Sequence, residues 1–149
     1  MEKLDHLYRE VIMEHYKNPR NKGLISDPTY RTCHIKNPSC GDDITVQTKI
    51  VDGRIADCHH DGHGCSICCA SASVMTETVI DKTVDEALNL ADNYLLMVMN
   101  KPFDESLDLE EAQVFAGVRQ FPARIKCASI AWQAFKQTVT TKEGDSHGQ

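Results

Sequence analysis

Three cysteines and one aspartate are the residues of this chain best suited to metal chemistry. Cys40 and Asp42 lie in Asn37-Pro38-Ser39-Cys40-Gly41-Asp42, Cys65 in Gly62-His63-Gly64-Cys65, and Cys127 in Arg124-Ile125-Lys126-Cys127. Three thiolates and a carboxylate make four ligands, enough to hold one tetrahedral zinc ion or to anchor part of an iron–sulfur cluster. The spacing is not that of a zinc finger, whose cysteines pair as short knuckles. Here 24 residues separate Cys40 from Cys65 and 61 separate Cys65 from Cys127, so such a site forms only when the whole domain folds. Taken singly the signals are weak. Cys127 alone reads as a small buried hydrophobe, Asp42 alone as a turn or cap residue, and Asp43 competes with it. The combination is much stronger than its parts.

The elements that must position these residues can be read from periodicity. Leu4, Tyr8, Val11, Ile12 and His15 mark one face of an N-terminal helix that Asn18-Pro19 ends. Residues 32–36 form a short strand. Ile44, Val46, Thr48 and Ile50 alternate as a half-buried strand does, and Asp52-Gly53 is a two-residue hairpin turn. The return strand, Arg54 to about His60, puts Ile55 and Cys58 on opposite faces unless a bulge intervenes. Helical pattern begins at Ser66, which places Cys65 at a helix N-terminus, where the thiolate is favoured. Thr83-Val84-Asp85-Glu86 is a capping box for a helix to about residue 99. A further helix is predicted from Asp108 to Val118. Pro122 suits the first turn of a last helix carrying Cys127, with Lys126 and Arg124 beside it. Cys40 and Asp42 flank Gly41 in a loop. Strands first and helices after predict an α+β fold, a small three-stranded antiparallel sheet with helices on one face.

The 149 residues fit one domain, residues 1–140, followed by a flexible tail, residues 141–149. A hydrophobic content of 41% and a charged content of 26% are ordinary for a soluble chain. The net charge of −6 argues against broad nucleic-acid binding. No apolar run approaches the roughly 20 residues of a membrane span, and Met1 to His6 lacks the form of a signal peptide. A cytoplasmic location follows as the expectation. In a reducing cytosol seven cysteines point to metal or sulfur chemistry before disulfides.

At these residues the chain resembles the U-type iron–sulfur cluster assembly proteins, the IscU/SufU family (NifU N-terminal-like). The resemblance covers nearly the whole chain: Leu7 to Ile12, His15 to Asn21, Asn37 to Asp42, Gly62 to Ile67, Ala70 to Ser73 and Phe121 to Ala128 all match, in order. Two features look like the SufU branch. Lys126 stands where IscU-type scaffolds carry a histidine, and a protonated lysine cannot coordinate metal. The stretch between Cys65 and Cys127 is also longer than an IscU-type chain needs.

The resemblance implies a SufE/NifU-like fold and a zinc ion held by Cys40, Asp42, Cys65 and Cys127. It implies a SufS-type cysteine desulfurase as partner, whose persulfide sulfur this chain accepts and passes to downstream Suf cluster-assembly proteins. Cys40, on a flexible loop, is the expected acceptor, with Asp42 orienting the loop and Arg124 and Lys126 stabilising negative sulfur nearby. The alternative is a scaffold on which a [2Fe–2S] cluster is assembled with the same ligands. Cys68 and Cys69 depart from the family pattern and read as packing thiols. Cys33 and Cys58 read as half-buried fillers on strands. His59 and His60 point to opposite faces of a strand and cannot easily share an ion. His63, two residues before Cys65, reads as a neighbour of the ligands or as solvent-exposed more often than as a ligand, and His6 and His34 show no partner pattern.

Overall fold

The computed structural model describes residues 2–38 and 41–140, with side chains from His6 onward. Helix α1 (Glu2–Lys17) is followed by strands β1 (Arg31–Asn37), β2 (Asp42–Val51) and β3 (Arg54–His63). Helices α2 (Ser66–Val79) and α3 (Val84–Val98) come next, then two 3-10 segments, Glu110–Gln120 and Pro122–Arg124, and helix α4 (Ile125–Thr140). The strands form one antiparallel sheet in the order β1-β2-β3. The α+β architecture read from the sequence is the one observed. No helix among the described residues is long and apolar enough to cross a membrane.

Alternation along β2 buries Ile44, Val46 and Thr48, and α4 lies against β1 and β2 while α2 lies against β3. Asp52 and Gly53 both take positive φ, 52° and 77°, as a type I′ hairpin requires. The conflict between Ile55 and Cys58 is settled by a bulge. Lys49 pairs with Asp57 but Ile50 with Ile55, leaving Ala56 as the extra residue. Both Ile55 and Cys58 are therefore fully buried. Cys33 is buried as well, so these two thiols are core residues rather than half-buried ones; burial pushes the Cys58 thiol up to about 12.

On α1, Tyr8, Val11, Ile12 and His15 are buried as one face, and Leu4 falls outside the described side chains. The capping box at Thr83 is present in both directions, Glu86 N–H donating to Thr83 Oγ1 at 3.1 Å and Thr83 N–H to Glu86 Oε1 at 3.0 Å. The helix predicted from Asp108 instead winds as a 3-10 segment. Its apolar residues explain why: Leu109, Ala112, Phe115 and Val118 are all buried, a spacing of three that places them on one edge of a helix with three residues per turn. Large side chains fill the centre. Tyr94 stacks on Trp132 at 3.9 Å between ring centroids, and both hydrogen-bond to Ser71 Oγ.

His60 ties β3 to the segment after α1. Its backbone N–H donates to Asn21 O and its carbonyl accepts from Gly23 N–H, while its Nε2–H donates to Arg20 O at 2.9 Å. Burial lowers the His60 imidazole from 6.5 to about 4. The unfolded chain then binds more protons than the folded one between these values, so stability is full above pH 6.5 and falls as pH drops toward 4. Urea unfolding at pH 6.5 and pH 5 should show a loss of about 1.5 kcal/mol from this group. A His60→Gln chain should lose that part of the slope, and an unchanged slope would contradict the assignment.

Candidate metal centre

The site is built where the start of β2 meets the start of α2. Strand β3 does not stop near His60 as its sequence pattern suggests; it continues to His63, which pairs with Asp43. That pairing carries Gly62 and Gly64 alongside the Asp42-Asp43 backbone. Gly62 has φ +131°, and a Cβ there would lie 1.9 Å from the Asp43 carbonyl oxygen. At Gly64 a Cβ would lie 2.4 Å from Asp42 Oδ1. The two glycines of the Gly-His-Gly-Cys run are thus required by close approach. Asp42, expected in a loop, is the first residue of β2, paired with Asn37.

Cys65 is the N-cap residue of α2. Its backbone N–H, one of the donors a helix start leaves without an intrahelical partner, donates to Asp42 Oδ1 at 3.1 Å. Asn37 Nδ2–H donates to Asp42 Oδ2 at 3.4 Å. The Asp42 carboxylate, 2% exposed, is therefore held from both sides. Cys127 enters from the first turn of α4 and is fully buried. Ligand atoms of Asp42, Cys65 and Cys127 all lie within 4.8 Å of one another. Cys40 lies outside the described residues. Asp43, the rival carboxylate, turns away from this cluster to His34 Nε2, and that hydrogen bond lowers its carboxyl below the usual range. His34 thus has the partner that sequence did not show.

The donor chemistry fits a soft or borderline cation. Two thiols and a carboxylate crowded into a buried corner cannot all ionise without a compensating positive charge, and a tetrahedral zinc ion accepts this donor set. The Tyr8 hydroxyl is buried with no hydrogen-bond partner among the described residues. Burial, with the Cys65 and Cys127 thiolates adding and Arg124 opposing, raises it to about 12.

The remaining candidates sort by burial. Cys68 is fully buried, and burial, reinforced by Asp42, Cys69, Cys65 and Cys127, pushes its thiol well up. Cys69 is half-buried, its Sγ–H donating to Gly64 O at 3.7 Å, and burial raises it too. The six described cysteines form no disulfide. Lys126, Arg124 and His63 are exposed. His59 bonds Asp57 at 2.8 Å while His60 is buried, so the two histidines do not converge. Sequence reasoning missed the support given by Asn37, although it lies within a motif that carries the resemblance.

A profile of the NifU-like N-terminal domain matches residues 7–128. Among curated proteins, the zinc-dependent sulfurtransferase SufU of Bacillus subtilis is 43% identical over 141 residues, 95% of each chain. The iron-sulfur cluster assembly scaffold protein IscU of Streptococcus pyogenes is 38% identical over 147 residues, 99% of this chain and 91% of that one. A crystal structure of an iron-sulfur cluster assembly scaffold protein for the SUF system from Fervidobacterium islandicum superposes with a TM-score of 0.77 at 33% identity, covering 91% of this chain and 98% of the other.

The cradle at Gly64 gives a direct prediction. Gly64→Ala drives a methyl into the Asp42 carboxylate, so metal content after purification without added metal should fall by half or more. Asp43→Asn should leave metal content unchanged. Full retention in Gly64→Ala would show that Asp42 is not held where the cation sits.

Proposed function

The chain belongs to the NifU-like N-terminal domain family, and from that premise we propose that it is a zinc-dependent sulfur acceptor and relay in iron–sulfur cluster assembly. It takes persulfide sulfur from a SufS-type cysteine desulfurase and hands it to downstream cluster-assembly proteins. The observation that carries this reading is the convergence of Asp42, Cys65 and Cys127 from β2, the start of α2 and the start of α4, in a chain 43% identical to a zinc-dependent sulfurtransferase.

In this reading Cys40, two residues before Asp42 in sequence, completes the ligand set Cys40, Asp42, Cys65 and Cys127. A zinc ion bound there supplies a redox-silent positive charge that favours ionised thiols at neutral pH. Cys40 acts as the nucleophile. Its thiolate attacks the outer sulfur of the partner's persulfide, a new S–S bond forms on Cys40, and the partner's cysteine leaves as a thiolate. No net oxidation occurs, since one S–S bond replaces another. Cys65 and Cys127 are held at helix starts and serve as anchors. Asp42 fixes the geometry through the Cys65 amide and Asn37. Cys68 is too deeply buried to meet a partner's persulfide.

The scaffold reading, a [2Fe–2S] cluster on the same ligands, has support from the 38% identity to an IscU scaffold protein. Against it, Lys126 takes the place of the histidine of IscU-type chains, and its side chain is exposed. Colour separates the two: protein purified without added metal should be colourless under the first reading and brown under the second.

After a brief reaction with desulfurase and cysteine, trapping and peptide mass analysis should find the added sulfur on Cys40. Early label on Cys65, Cys127 or Cys68 would overturn the assignment. Asp42→Ala should keep zinc with weakened affinity while sulfur acceptance falls at least tenfold, and Asp43→Ala should do neither; the reverse pattern would identify the other carboxylate as the working one.

A further inference from the structure

A second cluster of ligand-type side chains lies at the far end of α2. His15 on α1, Glu77 on α2 and Glu111 in the 3-10 segment present one imidazole nitrogen and two carboxylate oxygens within 4.8 Å of one another. Glu77 follows Cys65 by twelve residues, about 18 Å along the helix at 1.5 Å per residue, so this cluster is separate from the thiol centre.

The imidazole is built into place. His15 is fully buried. Its Nδ1 lies 2.7 Å from Ser73 Oγ, and Ser73 Oγ is itself fixed by accepting the Arg20 backbone N–H at 2.8 Å. The other ring nitrogen, Nε2, faces out toward the carboxylates, 2.7 Å from Glu111 Oε1 and 3.9 Å from Glu77 Oε1. One N–H cannot serve two carboxylates, so hydrogen bonding to the ring leaves one of them without a donor from it. Arg20 does not make up the difference. Its guanidinium pairs with Glu14 at 3.0 Å and reaches Glu77 Oε2 at the outer limit of 4.0 Å. Three carboxylates thus share one guanidinium and one imidazole.

We infer that His15 Nε2, Glu77 and Glu111 form a second metal site, one that takes a first-row divalent cation through nitrogen and oxygen ligands. Ser73 then accepts the Nδ1–H, the outer hydrogen bond that fixes the ring of a metal-binding histidine. A cation at about 2.1 Å from each ligand needs neighbouring donors roughly 3.0–3.5 Å apart. The present separations close to that by movement of the two glutamates, whose side chains are 47% and 52% exposed. The same exposure leaves coordination positions to water. Absence of sulfur separates this site from the thiol centre in metal preference: oxygen and nitrogen donors accept Mn²⁺, whereas Mn²⁺ binds too weakly to displace zinc from thiolates.

The test uses the full chain carrying its zinc, titrated with Mn²⁺ and read by electron paramagnetic resonance. One Mn²⁺ per chain should bind, saturating below about 1 mM. Glu77→Gln and Glu111→Gln should each weaken binding roughly tenfold or more, with zinc content and the melting temperature in the absence of Mn²⁺ unchanged. Mn²⁺ should raise the melting temperature of the wild type and not of the variants. Glu105→Gln, at an exposed glutamate elsewhere, should bind as the wild type does. No saturable binding, wild-type affinity in both variants, or equal weakening by Glu105→Gln would each overturn the inference.

Discussion

The hydrogen bond from the Cys65 amide to the Asp42 carboxylate fixes the corner of the candidate site where the sheet meets the helical layer. It ties the first residue of β2 to the N-cap residue of α2. The contact forms because β3 runs on to His63 in register with Asp43, and because Gly64 has no side chain to hold the carboxylate away. Cys127 then needs only to arrive at the start of α4, which packs on both β2 and α2. The convergence of Asp42, Cys65 and Cys127 is thus a consequence of register, with each of the three set near a secondary-structure boundary.

That origin explains the widely spaced cysteines. A zinc knuckle folds around its ion locally; here Asp42, Cys65 and Cys127 are brought together by strand pairing and helix packing. A cation at this point adds its binding free energy to the stability of the whole fold. The carboxylate matters for the same reason. Its oxygens accept from Cys65 N–H and Asn37 Nδ2–H, so it is oriented by the protein itself as well as by any ion it binds.

Much of this was legible in the residues. Alternation at Ile44, Val46 and Thr48, the Asp52-Gly53 turn, the Thr83 capping box and the glycines before Cys65 each gave the right element for a local reason. Tertiary contacts decided the rest. The end of β3 was hidden because His60, Asp61, Gly62 and His63 carry no apolar alternation; pairing with β2 extends the strand. The helix expected from Asp108 to Val118 proves to be a 3-10 segment over Glu110–Gln120, and buried residues at spacing three suit either winding over a short run. Periodicity and residue type leave Asp42 and Asp43 in competition, and only the resemblance implies Asp42; adjacent residues on a strand face opposite sides, and register sends Asp42 to Cys65 and Asp43 to His34. The cluster around His15 was read only as a helix face, because Glu77 and Glu111 are distant in sequence and ordinary in type.

The central claim is that one zinc ion is held by three thiolates and one carboxylate from Cys40, Asp42, Cys65 and Cys127. X-ray absorption at the zinc edge, on protein purified without added metal, tests it most directly. The account predicts three sulfur scatterers at about 2.3 Å and one oxygen at roughly 2.0–2.2 Å, with the sulfur count falling by one in Cys127→Ala. A shell of oxygen and nitrogen alone, or iron with bridging sulfide in place of zinc, would contradict it.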